Sequence, residues 1–368
     1  MNHPAITVAR RTMPPRVARL GLGVSLGGLG LIVAAGSPIA DATDFVIERG
    51  GAWPTAEEVS AGDRILLAPG VHSVRAIEGW PGTPERPIVI TSADPNVPAA
   101  FASPEAPAFH ARDCGGLHLD ALLIIGGGVL IEDMDRTTPS SVTISSLQVL
   151  PFSPQPGTKG PAVGVQVLGA AQCTLRSVAV NRWTRTGVEL ADIGTVTIAG
   201  LGLVGGAESP VGLRLENCGT VEWTRGGVVG AADAAVDLHV AAVDTSLSLS
   251  ELAFVQPGVG VRITGDRAIA SIDRCTIVGP RRAVVEVREP ADPEAPVPDP
   301  NAGPDTGDDT KNPRPGSIRL DRCLTIWQVG GLERIIRTAT PGEGPSRVTL
   351  GRNLWWSEEL PMVLEALG

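Results

Sequence analysis

The amino-acid sequence predicts an all-β fold, a parallel β-helix in which short strands stack coil upon coil. Three observations carry this expectation. A four-residue phrase recurs as Gly164-Val-Gln-Val, Gly187-Val-Glu-Leu, Gly212-Leu-Arg-Leu, Ala235-Val-Asp-Leu, Gly260-Val-Arg-Ile and Val284-Val-Glu-Val, with steps of 23, 25, 23, 25 and 24 residues. A second phrase of alternating aliphatics follows it in most repeats, as in Val142-Thr-Ile-Ser-Ser-Leu-Gln-Val and Val196-Thr-Ile-Ala-Gly-Leu-Gly-Leu. Gly and Pro together make about 21% of the 368 residues, against roughly 12% in average chains, while aromatics are 3% and Tyr is absent. So many turn formers and so few large rings exclude a helical bundle. A hydrophobic fraction of 43% excludes a wholly disordered chain.

The physics of the repeat is specific. Alternation at period two sends every second side chain to one face of a strand. Two residues between alternating pairs leave room only for a tight corner. Three such strands fill 23–25 residues, too few to include a useful helix. A single coil cannot bury its apolar edge, so coils stack as in other solenoids, with like positions about 4.8 Å apart.

From the N-terminus, residues 1–42 read as an export signal. Arg10, Arg11, Arg16 and Arg19 precede an apolar run from Leu20 to Ala35, and Ala40-Asp41-Ala42 forms a small-x-small cleavage pattern. The run falls short of the roughly 20 residues a membrane span needs, so no stable span is expected after cleavage. An uncleaved anchor is the alternative. Arg10-Arg11 suggests a twin-arginine route, although no Phe or Leu follows closely. Removing four Arg and one Asp from 30 basic and 40 acidic residues leaves 26 and 39, a net charge of −13. The mature protein is therefore expected to be acidic and secreted, periplasmic or in the cell envelope. The charge argues against a nucleic-acid partner, which wants a basic patch.

Residues 43–107 are expected to form an N-terminal cap and the first coils, and residues 108–356 the remaining coils of the same domain, roughly ten in all. Residues 289–316, with eight Pro and seven acidic side chains, read as a solvated, disordered insertion, and 357–368 as a tail. Asp305-Thr-Gly-Asp308-Asp309 within the insertion lacks the spacing and terminal Glu of an EF-hand.

Residues between the inward aliphatics are expected to face outward and to stack. The first-strand column reads His110, Leu130, Gln166, Glu189, Arg214, Asp237, Arg262, Glu286, and its last five members alternate in sign. An ion-pair ladder is one meaning of this; a charged sugar-binding face is the other. The second-strand column, His118, Thr143, Thr174, Thr197, Glu222, Ser248, Ser271, Arg319, Thr349, is rich in hydroxyls. It makes good strand surface and offers a hydrogen-bonding track. Asp113, Asp192 and Asn217 recur at equivalent places before the second strand and read as turn residues rather than catalytic acids.

The segment Ser60-Ala-Gly-Asp-Arg-Ile-Leu-Leu-Ala-Pro-Gly-Val-His, followed by Gly82-Thr-Pro-Glu-Arg-Pro-Ile-Val-Ile-Thr-Ser-Ala, resembles the opening of right-handed parallel β-helix proteins of the pectin-lyase-like superfamily. It is particularly similar to the start of the chondroitinase-B-like polysaccharide lyases. The resemblance covers about 45–356 and implies the fold more firmly than any activity. In such lyases it would imply a Lys/Arg pair and, in some members, calcium. Of the two lysines, only Lys159 falls in the folded repeat region outside the 289–316 insertion, inside the Pro-rich loop 151–161, and no motif around it matches. No family catalytic residue is carried over, and the clustered Asp and Gly-His-Gly of polygalacturonase-like hydrolases are missing too.

Two patches remain as candidates. Asn181-Arg182-Trp183-Thr184-Arg185 leaves a third strand beside the 151–161 loop, and a Trp between arginines suits a sugar ring and a carboxylate. Together with Lys159, Glu189 and Arg214, the residues Arg182, Trp183 and Arg185 form the candidate substrate-binding set. A loop Trp that covers the core edge is the competing meaning. Glu132, Asp133 and Asp135 form a candidate calcium site, the one cofactor the sequence leaves open; a solvated turn is its alternative. The five cysteines, Cys114, Cys173, Cys218, Cys275 and Cys323, show no metal spacing. Cys275 and Cys323 share a position on adjacent coils and either stack reduced or form a disulfide. Two functions stay open: a monomeric, non-catalytic envelope or extracellular protein that engages polysaccharide, and a lyase or hydrolase acting on an acidic polysaccharide.

Overall fold

The computed structural model describes residues 42–357, apart from 105–106, 134–139, 154–159, 207, 242–243, 266–267, 289–315, 328–333 and 339–346. Its described residues form strands and turns without a helix. Every strand pairing in the registers of the repeat is parallel: Phe109–Arg112, Val129–Glu132, Val163–Leu168 and Thr186–Ala191 stack in sequence, followed by Val211–Glu216, Ala234–His239, Val259–Thr264 and Ala283–Arg288. With Arg75–Glu78 before them and Arg334–Thr338 after them they make a ten-stranded sheet. The second and third strands of the coils make a twenty-stranded sheet, because Thr195–Val204, Thr220–Val229 and Thr245–Val255 run continuously through both. The protein is a parallel β-solenoid, the architecture the repeat predicts. Eight coils run from Arg75 to Val278, and two further rows of strands stack beyond.

Corners are made by single residues in the left-handed region. Asp113, Asp192 and Asn217 have φ of 52°, 55° and 50° at the first corner, which is the turn role their recurrence predicts. Ser146, Ser177, Arg225, Glu251, Arg274 and Arg322 do the same at the second corner, with φ between 51° and 58°. A non-glycine residue there costs about 1–2 kcal/mol, least for Asn and Asp, and the stacked strands on either side supply the compensating contacts.

The core is a set of columns one coil wide. Leu119, Ile144, Leu175, Ile198, Trp223, Leu249, Ile272 and Leu320 stack in register and are all fully buried. Each such side chain contributes about 1.5–3 kcal/mol by leaving water. All five cysteines are free and buried. Cys275 and Cys323 therefore stack reduced, and the hydrogen bond between them and burial push the Cys275 thiol up. At the N-terminal end Trp53, Trp80, Phe101 and Phe109 close the core with ring centroids 5.6–6.2 Å apart.

Candidate functional site

The first-strand column lies in the register expected: Gln166, Glu189, Arg214, Asp237, Arg262 and Glu286 are direct neighbours on successive coils. Its exposure differs from expectation. Asp237, Arg262 and Glu286 are 1%, 4% and 3% exposed. They form the centre of a covered ionic network rather than a solvent-facing row.

Arg262 is the hub. Its Nη1 and Nη2 donate to the two carboxylate oxygens of Asp233, both at 2.7 Å, and its Nε donates to Glu286 at 2.9 Å. Asp237 lies 3.8 Å from Nη1. Asp233 also takes Arg282, Asp237 takes Arg214 at 3.2 Å, and Glu286 takes Arg288 at 3.0 Å. His239 sits 3.2 Å from Asp237.

The electrostatics follow from these contacts. Hydrogen bonds from Arg262 hold the Asp233 carboxyl far below the usual range. Burial pushes Asp237 and Glu286 up, but the contacts with His239 and with Arg262 outweigh it and both end low. Burial lowers Arg262, and the carboxylates around it outweigh that and raise it. A general acid needs a carboxyl raised toward neutral pH. Here the shifts run the other way, and the network is built to stay ionised.

The predicted site residues separate. Arg185, Glu189 and Arg214 share the face, and Arg185 donates to Glu189 at 3.0 Å. Trp183 does not join them: it is 2% exposed and belongs to the core. The corner at Arg182, with φ 55°, turns the chain so that the next side chain points inward. Trp183 therefore covers the core edge and offers no stacking face to a sugar. Lys159 and Asp135 lie outside the described residues, as do residues 1–41, 289–315 and 358–368.

Of the candidate calcium site, Glu132 and Asp133 are described and Asp135 is not. Glu132 accepts from His110 at 2.8 Å and from Arg112 at 2.9 and 3.0 Å. Two basic groups thus share one carboxylate oxygen of Glu132, Oε1. Asp133 continues the chain beyond this pair, and no group of three His, Cys, Asp or Glu able to hold a metal occurs among the described residues.

The twenty-stranded sheet presents the second-strand column on its outer surface. Thr143, Thr174 and Thr197 stand in register and half-buried, and Glu222 and Ser248 follow them exposed. At the start of this column is a cluster the motif reading missed. Ser145 Oγ donates to Asp120 at 2.5 Å and lies 2.7 Å from His118 Nε2. With the hydroxyl proton directed at Asp120, the contact with His118 is made when its ring carries the proton on Nε2. Burial lowers the His118 pKa. The signal was available: His118 and Asp120 are both outward on one strand, and the repeat sets Ser145 beside Asp120.

The chain matches no protein-family model and no curated protein. Among solved structures it is similar to the catalytic unit of a thermostable GH87 alpha-1,3-glucanase from Streptomyces thermodiastaticus strain HF3-3, at 14% identity and a TM-score of 0.37, over 89% of this chain and 71% of that one. It is also similar to the periplasmic alginate epimerase AlgG, at 10% identity and a TM-score of 0.35, over 86% and 85%. No residue role is taken from either.

Proposed function

We propose that the chain is an exported β-solenoid that binds polysaccharide along its twenty-stranded sheet without turning it over. The observation that carries this is the solvent-facing column from Thr143 to Ser248, with hydroxyls at Thr143, Thr174, Thr197 and Ser248. Three stacked threonines about 4.8 Å apart, followed by Glu222 and Ser248, offer a series of donors and acceptors, which suits a polymer of polar units. The depressed carboxyls of the Arg262 network are unsuited to act as general acids. The basic n-region, apolar run and Ala40-Asp41-Ala42 of the first 42 residues support export.

Affinity electrophoresis of the mature protein in gels containing single polysaccharides tests both halves. We expect retardation by at least one polymer, weakened severalfold in a Thr174→Val, Thr197→Val double variant, with no new reducing ends or unsaturated products. Turnover of any retarding polymer refutes the non-catalytic reading. Undiminished retardation of the double variant removes the hydroxyl column from the binding surface.

A further inference from the structure

The inward column of the ten-stranded sheet that runs through Phe109 is apolar from coil to coil, with one exception at its N-terminal end. Phe109, Val129, Val165, Val188, Leu213, Val236, Val261 and Val285 stack in register, none more than 2% exposed. The residue paired with Phe109 on the preceding strand is Arg75. It shares the inward face with Ile77, which is 4% exposed. The sequence places a permanent cation where the repeat calls for Val.

Among the described residues no carboxylate neutralises it, and the Arg75 Nε is buried without a hydrogen-bond partner. Its guanidinium carbon lies 5.1 Å from the centroid of the Trp53 ring. Burial lowers its pKa with no opposing carboxylate. An unsatisfied, partly desolvated donor of this kind is unfavourable, and more so when charged. A cation–π contact offsets only part of that.

The same arginine lines a cleft of about 90 Å³, together with Trp53, His72, Ser73 and the backbone of Gly50 and Gly51. One water needs about 10–15 Å³ on this measure, so the cleft has room for a small functional group. His72 is 3% exposed and directs Nε2 at the Ala68 carbonyl, 2.7 Å away. Arg75 is left to supply the charge.

We infer that this cleft binds a small carboxylate, with the acid group on Arg75 and the adjoining carbon skeleton against the Trp53 face. A guanidinium fork matches a carboxylate in two parallel hydrogen bonds. One cation balances one negative charge, which favours a carboxylate over a phosphate dianion. The indole beside the guanidinium favours an acid carried on a ring over an open-chain acid such as acetate. The site lies on another face from the hydroxyl column, and it stands or falls independently of polysaccharide binding there.

The test is a titration of the mature chain with glucuronate, benzoate, acetate, inorganic phosphate and glucose, followed by calorimetry and tryptophan fluorescence. We expect glucuronate or benzoate to bind in the millimolar range or tighter and to change the fluorescence. Trp53→Phe should remove that change, and Arg75→Gln should weaken binding at least tenfold. Glucuronate alone identifies a sugar acid as the source, and benzoate alone an aromatic acid; either supports the site. The inference is overturned if neither binds, if phosphate binds in their place, if glucose matches glucuronate, or if Arg75→Gln binds unchanged. Should Arg75→Gln fail to fold, the Arg75 Nε–H resonance of the wild-type chain decides. A shift on adding the acid supports the site, and an unmoved resonance refutes it. Polymer retardation is expected to be unchanged in Arg75→Gln, so failure here and failure of the polysaccharide reading are separately visible.

Discussion

Substituting Arg262 by Met removes the hub of the covered network and nothing else of similar volume. Asp237 and Glu286, 2% and 3% exposed at the side chain, lose a counter-ion, and Asp233 loses two hydrogen bonds of 2.7 Å. Removing one partner from a buried ion pair costs about 3–5 kcal/mol, chiefly from the charge left behind. Arg214 still reaches Asp237 and Arg288 still reaches Glu286, which puts the expected loss near the lower end, about 3 kcal/mol. The pH dependence carries a distinct sign. In the wild type these carboxyls are depressed, so the folded state binds fewer protons than the unfolded one. Without Arg262 burial dominates and raises Glu286, so the folded state binds more, and the deficit shrinks as pH falls from about 7 to about 5. Urea unfolding followed by far-UV circular dichroism at both pH values measures this. A loss below about 1 kcal/mol at neutral pH, or an equal loss at both, refutes the buried-network argument. Arg262→Met combined with Glu286→Leu should recover part of the loss, because replacing both partners by apolar groups is often near neutral.

Other outcomes follow from the same geometry. Trp183→Ala should cost about 3–5 kcal/mol of stability, while polysaccharide retardation per folded molecule stays unchanged; a binding defect in a fully folded variant would restore Trp183 to the surface. At the second corner, Ser177→Gly should be neutral or stabilising by up to about 1 kcal/mol and Ser177→Val destabilising by about 1–2 kcal/mol, read from urea midpoints. Wild-type stability should fall with acid: Glu132, Asp233, Asp237 and Glu286 have depressed pKa values, so their contribution is present above the unfolded values near 4 and is lost as pH drops through the folded ones. A flat acid limb in thermal melts from about pH 5 to about pH 2 contradicts this. The five buried thiols should resist a thiol reagent in the native protein and all react after denaturation. Burial holds Cys114 and Cys218 at about 11, and a count of three after denaturation would reveal a Cys275–Cys323 bridge.

The registers of the columns were legible residue by residue, because period-two alternation and a 23–25-residue step leave only one way to superpose the coils. Asp192 and Asn217 were legible as corners for the same reason. What alternation does not report is how far each outward position stays exposed. It distinguishes the two faces of a strand, but Asp233 and Arg282 pack beside the Arg262 column from outside the strands, and that contact closes the face. The sequence left Trp183 between a sugar-stacking and a core-covering role because its neighbours are polar; the inward turn that decides for the core depends on the backbone at Arg182, which composition does not encode. The Arg75 anomaly was hidden by position. Its strand precedes the recurring phrase, so no repeat was at hand to show that an aliphatic was due there.

The alternation Glu189, Arg214, Asp237, Arg262, Glu286 gives the stack a parity. A solenoid built of equivalent coils can in principle lose or duplicate any one of them. Here, excising the coil that carries Arg214 would seat Glu189 directly against Asp237, and a duplicated coil would set like against like. Excising two adjacent coils restores the order. Charge thus doubles the unit by which this chain can lengthen or shorten from one coil to two, although every apolar column would accept the smaller step.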